Sequence, residues 1–403
     1  MNGKSMNGTI VLGAPKAGFF GGVEQHVYDL ARGLRARGHS VALVHGGGEG
    51  REPERFTAPF TMVLRWQDAR KFLSRARLAY LHKLDDPALL ESIPAAVPLV
   101  LAVHDHDRTC VRSHRYLPLS LEPCQRPPGI DCVTRGCVVV RCRESRLGVA
   151  LRDPFALARS TRDLARRARL VACSQFVRQS LLDAGVPAGR VAVVNPVPPN
   201  DPTPLVPAPS APELGFVGQI IRGKGLDLLL RALVQIPDAR LTVAGGGSGL
   251  DEARALAEGL GIAPRVDFLG PVSSQTIREV YDRVRVLVVP SRWPEPFGMI
   301  GVEAMRRGRV TVGALHGGIP EWLDDGVSGV GFRPGDVGDL ARAVRDALSA
   351  DRYQARAEAA LARARSELTF DRMMDRIESV LGLSPNSQPF PSSRLPVQSS
   401  PSR

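Results

Sequence analysis

The chain has 403 residues, of which 43% are hydrophobic, 23% charged and 5% aromatic. That is too long for one ordinary core and too apolar for disorder throughout, and two domains are the simplest division. The net charge of +12, from 53 Lys and Arg against 41 Asp and Glu, suits a phosphorylated substrate, an anionic lipid or nucleic acid; arginines scattered over helical segments, with no aromatic clusters among them, argue against nucleic acid.

The opening MNGKSMNGTIVLGAP lacks the charged region, sustained apolar core and cleavage site of a secretion signal. No run of about 18 apolar residues follows anywhere. The expected location is therefore cytoplasmic, with peripheral contact at the inner face of a membrane compatible with the basic surface. TIVLG predicts a strand over 9–13, APKAGFFGG a loop, and GGVEQHVYDLARGLRARGHSV a helix with Val23, Val27, Leu30, Ala31 and Leu34 on one face. Gly38 stops that helix and SVALVH reads as the next strand. A strand-helix-strand unit favours a parallel sheet with ligands at the carboxyl ends of its strands. Gly21 and Gly22 open the helix without side chains, so an anion or an acceptor can approach the backbone closely, although a flexible loop before an ordinary helix start fits the same residues.

PLVLAVHDHDRTC places His104 and His106 at the end of an apolar strand. A strand-end histidine is by itself more often structural than catalytic. Asp105 and Asp107 form a D-x-D, a pattern of metal-diphosphate sites, discounted because the second half supplies its own cations for a diphosphate and then needs no metal. Cys110, Cys124, Cys132, Cys137 and Cys142 fall in an insertion over 110–142, with Cys173 apart. They contain no C-x2-C pair and a cytosolic location disfavours disulfides, so a structural metal and packed thiols both stay open.

The first domain is expected over 1–195 and a proline-rich linker over 196–212, in the stretch NPVPPNDPTPLVPAPSAP of 195–212. A second domain follows over 213–369. ELGFVGQIIRGKGLDLLLRAL opens it as strand and helix, and the alternation continues through ARLTVAGGG, a helix around Ala253 to Leu260, RVDFLG, a helix around Ile277 to Arg283, VRVLVVP and RVTVG. VRVLVVP reads as a buried parallel strand. Glu295, in SRWPEPFGMIGVEAM, then lies in the loop at its carboxyl end, Gly298, Met299 and Ile300 open a helix whose free amides suit an anion, and Glu303 sits about one turn in. An E-x7-E spacing alone is weak, since acidic groups suit helix starts anyway. The cations Arg222 and Lys224 at the end of the first strand, and HGGIPE after the next, strengthen it. Carboxylates accept hydrogen bonds from sugar hydroxyls while cations and amides hold phosphate, a division that fits a nucleotide sugar. A helix over 370–383 and a disordered polar tail over 384–403 close the chain.

In order, GFVGQIIRGKGLDLLLRAL, VAGGG, VDFLGPVSSQTIREVY, VVPSRWPEPFGMIGVEAM and GGIPEWLDDGVSGVGF resemble the C-terminal domain of retaining nucleotide-sugar glycosyltransferases of the family 4 (group 1) type, and GGVEQHVYDLARGLRARGHSV resembles that family's opening. The resemblance implies the GT-B architecture: two Rossmann-like parallel-sheet α/β domains facing a central cleft, the first on the acceptor side, with the terminal helix crossing back to it. It implies transfer of a sugar from a nucleoside diphosphate sugar to an acceptor hydroxyl on a glycan, a lipid-linked carrier or a small molecule, with no cofactor or metal required. Residue by residue, Glu295 would contact the transferred sugar, Glu303 the ribose, and the amides of Phe297, Gly298, Met299 and Ile300 the sugar and diphosphate. Lys224 matches the diphosphate lysine, Val272 falls where backbone holds the nucleobase, and His104 matches a histidine facing the donor sugar. Some relatives also carry cysteine-rich insertions after this strand end. One departure stands out: Gln219 replaces the usual diphosphate arginine, and Arg222 is the nearest substitute. Two rival readings remain, a sugar-nucleotide epimerase on a similar fold and a basic protein that binds nucleic acid or membrane surfaces without catalysis.

Overall fold

Continuous apolar runs become strands buried on both faces, because the helices that join parallel strands cover each side of the sheet. The computed structural model describes residues 8–84, 86–120, 122–142, 148–200 and 203–383; the segment 384–403, expected to be disordered, lies outside them. The N-terminal half holds β1 (Ile10–Ala14), β2 (Val41–His45), β3 (Val63–Arg65), β4 (Leu78–His82) and β5 (Leu99–Val103). After these come a separate antiparallel pair, β6 (Val139–Arg141) with β7 (Val149–Leu151), and then β8 (Arg169–Ala172) and β9 (Val191–Val193). Seven of them form one parallel sheet in the order β3-β2-β1-β4-β5-β8-β9. The C-terminal half holds β10 (Glu213–Val217), β11 (Arg240–Ala244), β12 (Val266–Gly270), β13 (Val286–Val289), β14 (Val310–Ala314) and β15 (Gly329–Phe332), parallel throughout in the order β12-β11-β10-β13-β14-β15.

In both sheets the order reverses beside the first strand, between β1 and β4 and between β10 and β13. Crossover connections diverge there and leave a crevice at the carboxyl ends of the strands. The two parallel-sheet α/β domains are those of a GT-B architecture.

Local sequence explains the elements around the crevices. The helix Gly22–Ala36 buries Val27, Leu30, Ala31 and Leu34 completely, while Val23, expected on the same face, is only half-buried. It ends where Gly38 takes a left-handed φ of 87°. The helices read around 253–260 and 277–283 span Leu250–Gly259 and Ser274–Arg283.

The helix Phe370–Val380 packs on the N-terminal domain, burying Met373, Met374, Ile377 and Val380. Arg37 Nη1 donates to Asp375 at 2.6 Å and to Glu378 at 2.7 Å, and Arg169 Nη1 donates to the Val380 carbonyl at 2.9 Å. The described part of the 196–212 segment lies along the C-terminal domain. Its carbonyls accept from arginines there: Pro199 from Arg306 at 3.1 Å, Thr203 from Arg307 at 3.0 Å, Val206 from Arg309 at 2.9 Å and Pro209 from Arg285 at 2.9 Å. Among the described residues no helix is long and apolar enough to cross a membrane.

Candidate functional site

β13 ends at Val289, Pro290 cannot continue the ladder, and the chain from Ser291 to Gly298 arches over the crevice before the helix Met299–Arg306 begins. Glu295 is buried in this arch at 3% exposure. HGGIPE explains how the arch is held. Gly318 N donates to the Glu295 carbonyl at 2.7 Å, and a Cβ on Gly317 or Gly318 would stand 2.4 Å from the Glu295 or Pro296 carbonyl oxygen. Only glycines fit so close to another backbone. His316 Nε2 donates to the Ser291 carbonyl at 2.9 Å and pins the start of the arch.

Lys224 arrives from the neighbouring strand. β10 runs into the short turn Arg222–Lys224, closed by Gly225 in the left-handed region at φ 69°, where a Cβ would stand 2.0 Å from the Pro290 carbonyl oxygen. Lys224 Nζ therefore meets both carboxylate oxygens of Glu295, at 2.8 and 3.0 Å, and lies 4.8 Å from the centre of the Trp293 ring. Ser291 Oγ donates to the same carboxylate. Burial pushes the Glu295 carboxyl up, but the Lys224 charge and the hydrogen bonds from Lys224 and Ser291 outweigh it and hold the group below the usual carboxylate range. The site thus holds a buried carboxylate and its cation as a pair.

Glu303 behaves in the opposite way. Tyr281 OH donates to its Oε2 at 2.7 Å, yet burial raises the carboxyl above its ordinary value, with the Asp29 charge adding to the rise. Asp29 belongs to the helix Gly22–Ala36 of the other domain and is itself pushed up to about 6 by burial, against the hydrogen bond from Gln25. The helix start before Glu303 is shaped by Trp322, fully buried beneath it, whose Nε1 donates to the Phe297 carbonyl at 2.6 Å. Gly298 caps that helix at φ 91°. The Phe297 side chain is core, at 2% exposure, so only its backbone is offered to a ligand. Met299 and Ile300 are half-buried, and Val272 is half-buried two residues past β12.

Gln219 and Arg222 are both exposed at the end of β10. VAGGG presses against them: Gly245, at φ 150°, comes so close that a Cβ would stand 1.8 Å from the Gly218 carbonyl oxygen.

Across the cleft, Gly21 N donates to Glu24 Oε2 at 3.0 Å, and Gly21 and Gly22 are exposed. A Cβ on Gly22 would meet Met299 Cε at 3.9 Å, so the two helix starts face each other. His104, half-buried, takes a hydrogen bond contact with His82, Nε2 to Nδ1 at 2.9 Å, and His26 packs edge-on with ring centres 5.4 Å apart. Burial drives both His82 and His104 well below the usual imidazole range, helped by neighbouring positive groups. The Asp105 and Asp107 carboxylates of the D-x-D both grip Lys83, the latter at 3.0 Å.

Two residues noted from sequence only with their stretches, His106 at the strand end and Glu321 in HGGIPE, have a cross-domain role that the sequence did not show. His106 is fully buried, and its Nε2 donates to the Pro294 carbonyl at 2.7 Å, one residue from Glu295. Glu321 accepts from the amides of Gln175 and Phe176, both at 3.0 Å, and so caps the helix Gln175–Asp183 of the opposite domain. His106 lies two residues after His104, and the Ser174 cap before Gln175 marked a helix start, but neither signal names a partner 146 or 188 positions away. Cys110, Cys124, Cys132, Cys137 and Cys142 have no disulfide partners, and among the described residues no three metal-capable side chains come together.

Comparison with known proteins bears on the family and the fold. The family described as Glycosyl transferases group 1 matches residues 201–363, and Glycosyltransferase Family 4 matches residues 20–197. A D-inositol 3-phosphate glycosyltransferase of Mycobacterium sp. (strain KMS) is 44% identical over 141 residues, 34% of this chain and 32% of the relative; that of Mycolicibacterium smegmatis is 41% identical over 159 residues, 38% and 35% of the two chains. The matches thus span about a third of the length of these curated relatives. Among solved structures, Anabaena Alr3699/HepE in complex with UDP-glucose superposes with a TM-score of 0.71 at 20% identity, covering 93% of this chain and 99% of that one. Sucrose-phosphate synthase from Thermosynechococcus elongatus gives 0.68 at 18% identity, covering 92% and 97%. At such identities the likeness is one of fold.

Proposed function

This chain belongs to the group 1, family 4 glycosyltransferases, and from that premise we propose that it moves a hexose-type sugar from a nucleoside diphosphate sugar to an acceptor hydroxyl with retention of anomeric configuration. The observation that carries the reading is the Lys224–Glu295 pair at the strand ends of the second domain, its carboxylate buried, on the side of the cleft that faces the first domain. A lone carboxylate there would repel a diphosphate; paired with Lys224 it turns its oxygens to the sugar hydroxyls while the cation serves the phosphate. Lys224, Arg222 and the amides of Phe297 to Ile300 stabilise the charge that develops as the anomeric carbon–phosphate oxygen bond breaks, each contact being worth about 2–4 kcal/mol at the transition state. The acceptor oxygen bonds to that carbon and its proton leaves with the diphosphate. Glu303 holds the ribose, backbone at Val272 the base, and His104 the transferred sugar. Gln219 hydrogen-bonds the diphosphate without adding charge. No metal or other cofactor is needed for this scheme.

The acceptor belongs to polysaccharide, lipopolysaccharide or related glycoconjugate assembly. A peripheral contact with an anionic membrane is supported by the antiparallel pair β6–β7, whose cross-strand partners Val139 and Leu151, and Arg141 and Val149, are all exposed to solvent.

Purified protein would be screened against UDP-, GDP- and ADP-sugars for a rise in Tm, since only a ligand favouring the folded state raises it. The stabilising donor would then be tested for transfer, with product anomeric configuration read by NMR. Glu295→Ala and Lys224→Ala are expected to abolish transfer while the protein stays folded; full activity in both overturns the assignment. Turnover of donor without acceptor would favour an epimerase, and salt-sensitive nucleic-acid binding indifferent to nucleotide sugars would favour a binding protein.

A further inference from the structure

His82 ends β4 and His104 lies just past β5, the strand beside it. Between them a single proton occupies the 2.9 Å contact of His82 Nδ1 with His104 Nε2. Both rings are neutral, since each is buried among other imidazoles and, for His104, near Lys83. A neutral imidazole carries one N–H and one lone pair, so the direction of this hydrogen bond fixes the tautomer of both rings.

Two arrangements exist. If His104 Nε2 donates, the remaining proton of His82 must sit on its Nε2. That atom is buried, His82 is fully excluded from solvent, and among the described residues no hydrogen-bond partner stands within reach. An N–H would be stranded there, the rarest kind of unsatisfied group in folded proteins. If His82 Nδ1 donates instead, its Nε2 carries only a lone pair in a dry position, a lesser loss. His104 Nε2 is then the acceptor and its proton is on Nδ1. His104 is half-buried and lines a small cavity of about 120 Å³ at the carboxyl ends of β4 and β5, and Nδ1 is its one ring nitrogen left for a ligand.

We propose that His82 is a positioning residue that locks His104 as the Nδ1–H tautomer, so that His104 meets the bound sugar as a hydrogen-bond donor and never as a base. The specificity consequence is chemical: the site selects a sugar oxygen acceptor at that position and gives nothing to a deoxy sugar there. The inference rests on the proposed approach of the donor sugar to His104, but its first test does not.

Histidine labelled with 15N on the ring, read by long-range proton–nitrogen correlation in the ligand-free protein near pH 7, reports each tautomer directly. The expected result is Nδ1 protonated and Nε2 bare in both His82 and His104; a protonated Nε2 on His104 overturns the proposal and leaves sugar transfer untouched. The functional arm compares His82→Asn, whose amide nitrogen donates from near the place of Nδ1, with His82→Leu, which donates nothing. Transfer by His82→Leu is expected to lose about tenfold or more in kcat at little change in donor KM, with His82→Asn restoring most of it. A purely structural role predicts that both variants lose stability and activity together, and that outcome also overturns the proposal. If neither wild type nor variants transfer sugar, the functional reading fails while the tautomer result stands on its own.

Discussion

Lys224 and Glu295 depend on each other for different reasons. Glu295 is the more buried, with a side chain 4% exposed against 21% for Lys224, so removing the lysine leaves a buried carboxylate in the arch without its cation, although the Ser291 hydrogen bond remains. Lys224→Ala is therefore expected to destabilise the fold by about 3 kcal/mol or less, and Lys224→Ala with Glu295→Gln to recover most of that loss. Thermal melts of the single and double variants check this. Equal melting temperatures in the two would mean that the carboxylate left without its lysine costs the fold nothing. Activity should not recover in the double variant, because the phosphate cation is still missing. Both residues were legible in the sequence, because a carboxylate just past a buried strand and a lysine just past the first strand of the same sheet must converge at one sheet edge. Their contact was not legible. The glycines that bring the backbones together, Gly225 and the pair Gly317 and Gly318, declare flexibility in a sequence but not which carbonyl they approach. His106 escaped for a related reason: its acceptor is a backbone oxygen in the other domain, and a carbonyl leaves no trace in residue type.

At the scale of elements, amphipathic pattern served best where one face is buried and least where backbone atoms do the binding. The helix Gly22–Ala36 could be read from its apolar spacing, whereas β3, at three residues, and β15, with two glycines in four residues, offered too little pattern. The proline-rich segment reads as a loose connection, yet Arg285, Arg306, Arg307 and Arg309 tie its carbonyls to the C-terminal domain. These guanidiniums also account for part of the positive charge that composition alone left open to any anionic partner. Gly33 gives the clearest elemental test. It lies inside a helix, where glycine is unfavourable by about 1 kcal/mol relative to alanine, and a Cβ there would stand 2.7 Å from Met374 Sδ and 3.0 Å from Phe370 Cζ. Gly33→Ala is expected to be near neutral, helix propensity offsetting a shift of the flexible methionine. Gly33→Leu should lift the helix Phe370–Val380 off its seat at a cost of about 1–3 kcal/mol, visible as faster proteolysis after residue 366. Unchanged proteolysis in Gly33→Leu would show that the helix is not held by this contact.

For the molecule as a whole, two cross-domain contacts involve the stretches that hold the site. His106 donates to the loop carrying Glu295, and Glu321 caps a helix of the N-terminal domain. With the carbonyls of Pro199, Thr203, Val206 and Pro209 tied to the C-terminal domain, rotation between domains has Asn195 to Val197 and the turn before Phe370 as its natural pivots. The same burial that assembles these contacts makes the molecule sensitive to acid. Seven histidines, at 26, 45, 82, 104, 106, 114 and 316, sit below the ordinary imidazole value chiefly through desolvation, and His26, His106 and His114 fall from 6.5 to about 4. The unfolded chain takes up protons at these groups near pH 6.5 while the folded chain refuses them until about pH 4. Their stability contribution is thus complete above pH 6.5 and is lost as pH falls towards 4, at about 1.4 kcal/mol per pH unit for each group that titrates only in the unfolded state. Asp29, raised to about 6, works the other way, because its folded form prefers the proton, as do the raised carboxyls of Glu303 and Asp105, but these are three groups against seven. Melting temperature at constant ionic strength should therefore drop steeply between pH 6.5 and 4.5, and more shallowly in His106→Gln, whose amide keeps a donor for Pro294 without a titrating ring. A flat profile over that range would show that these imidazoles are not buried as a set, and with it the closed arrangement of the two domains around His106 would fall.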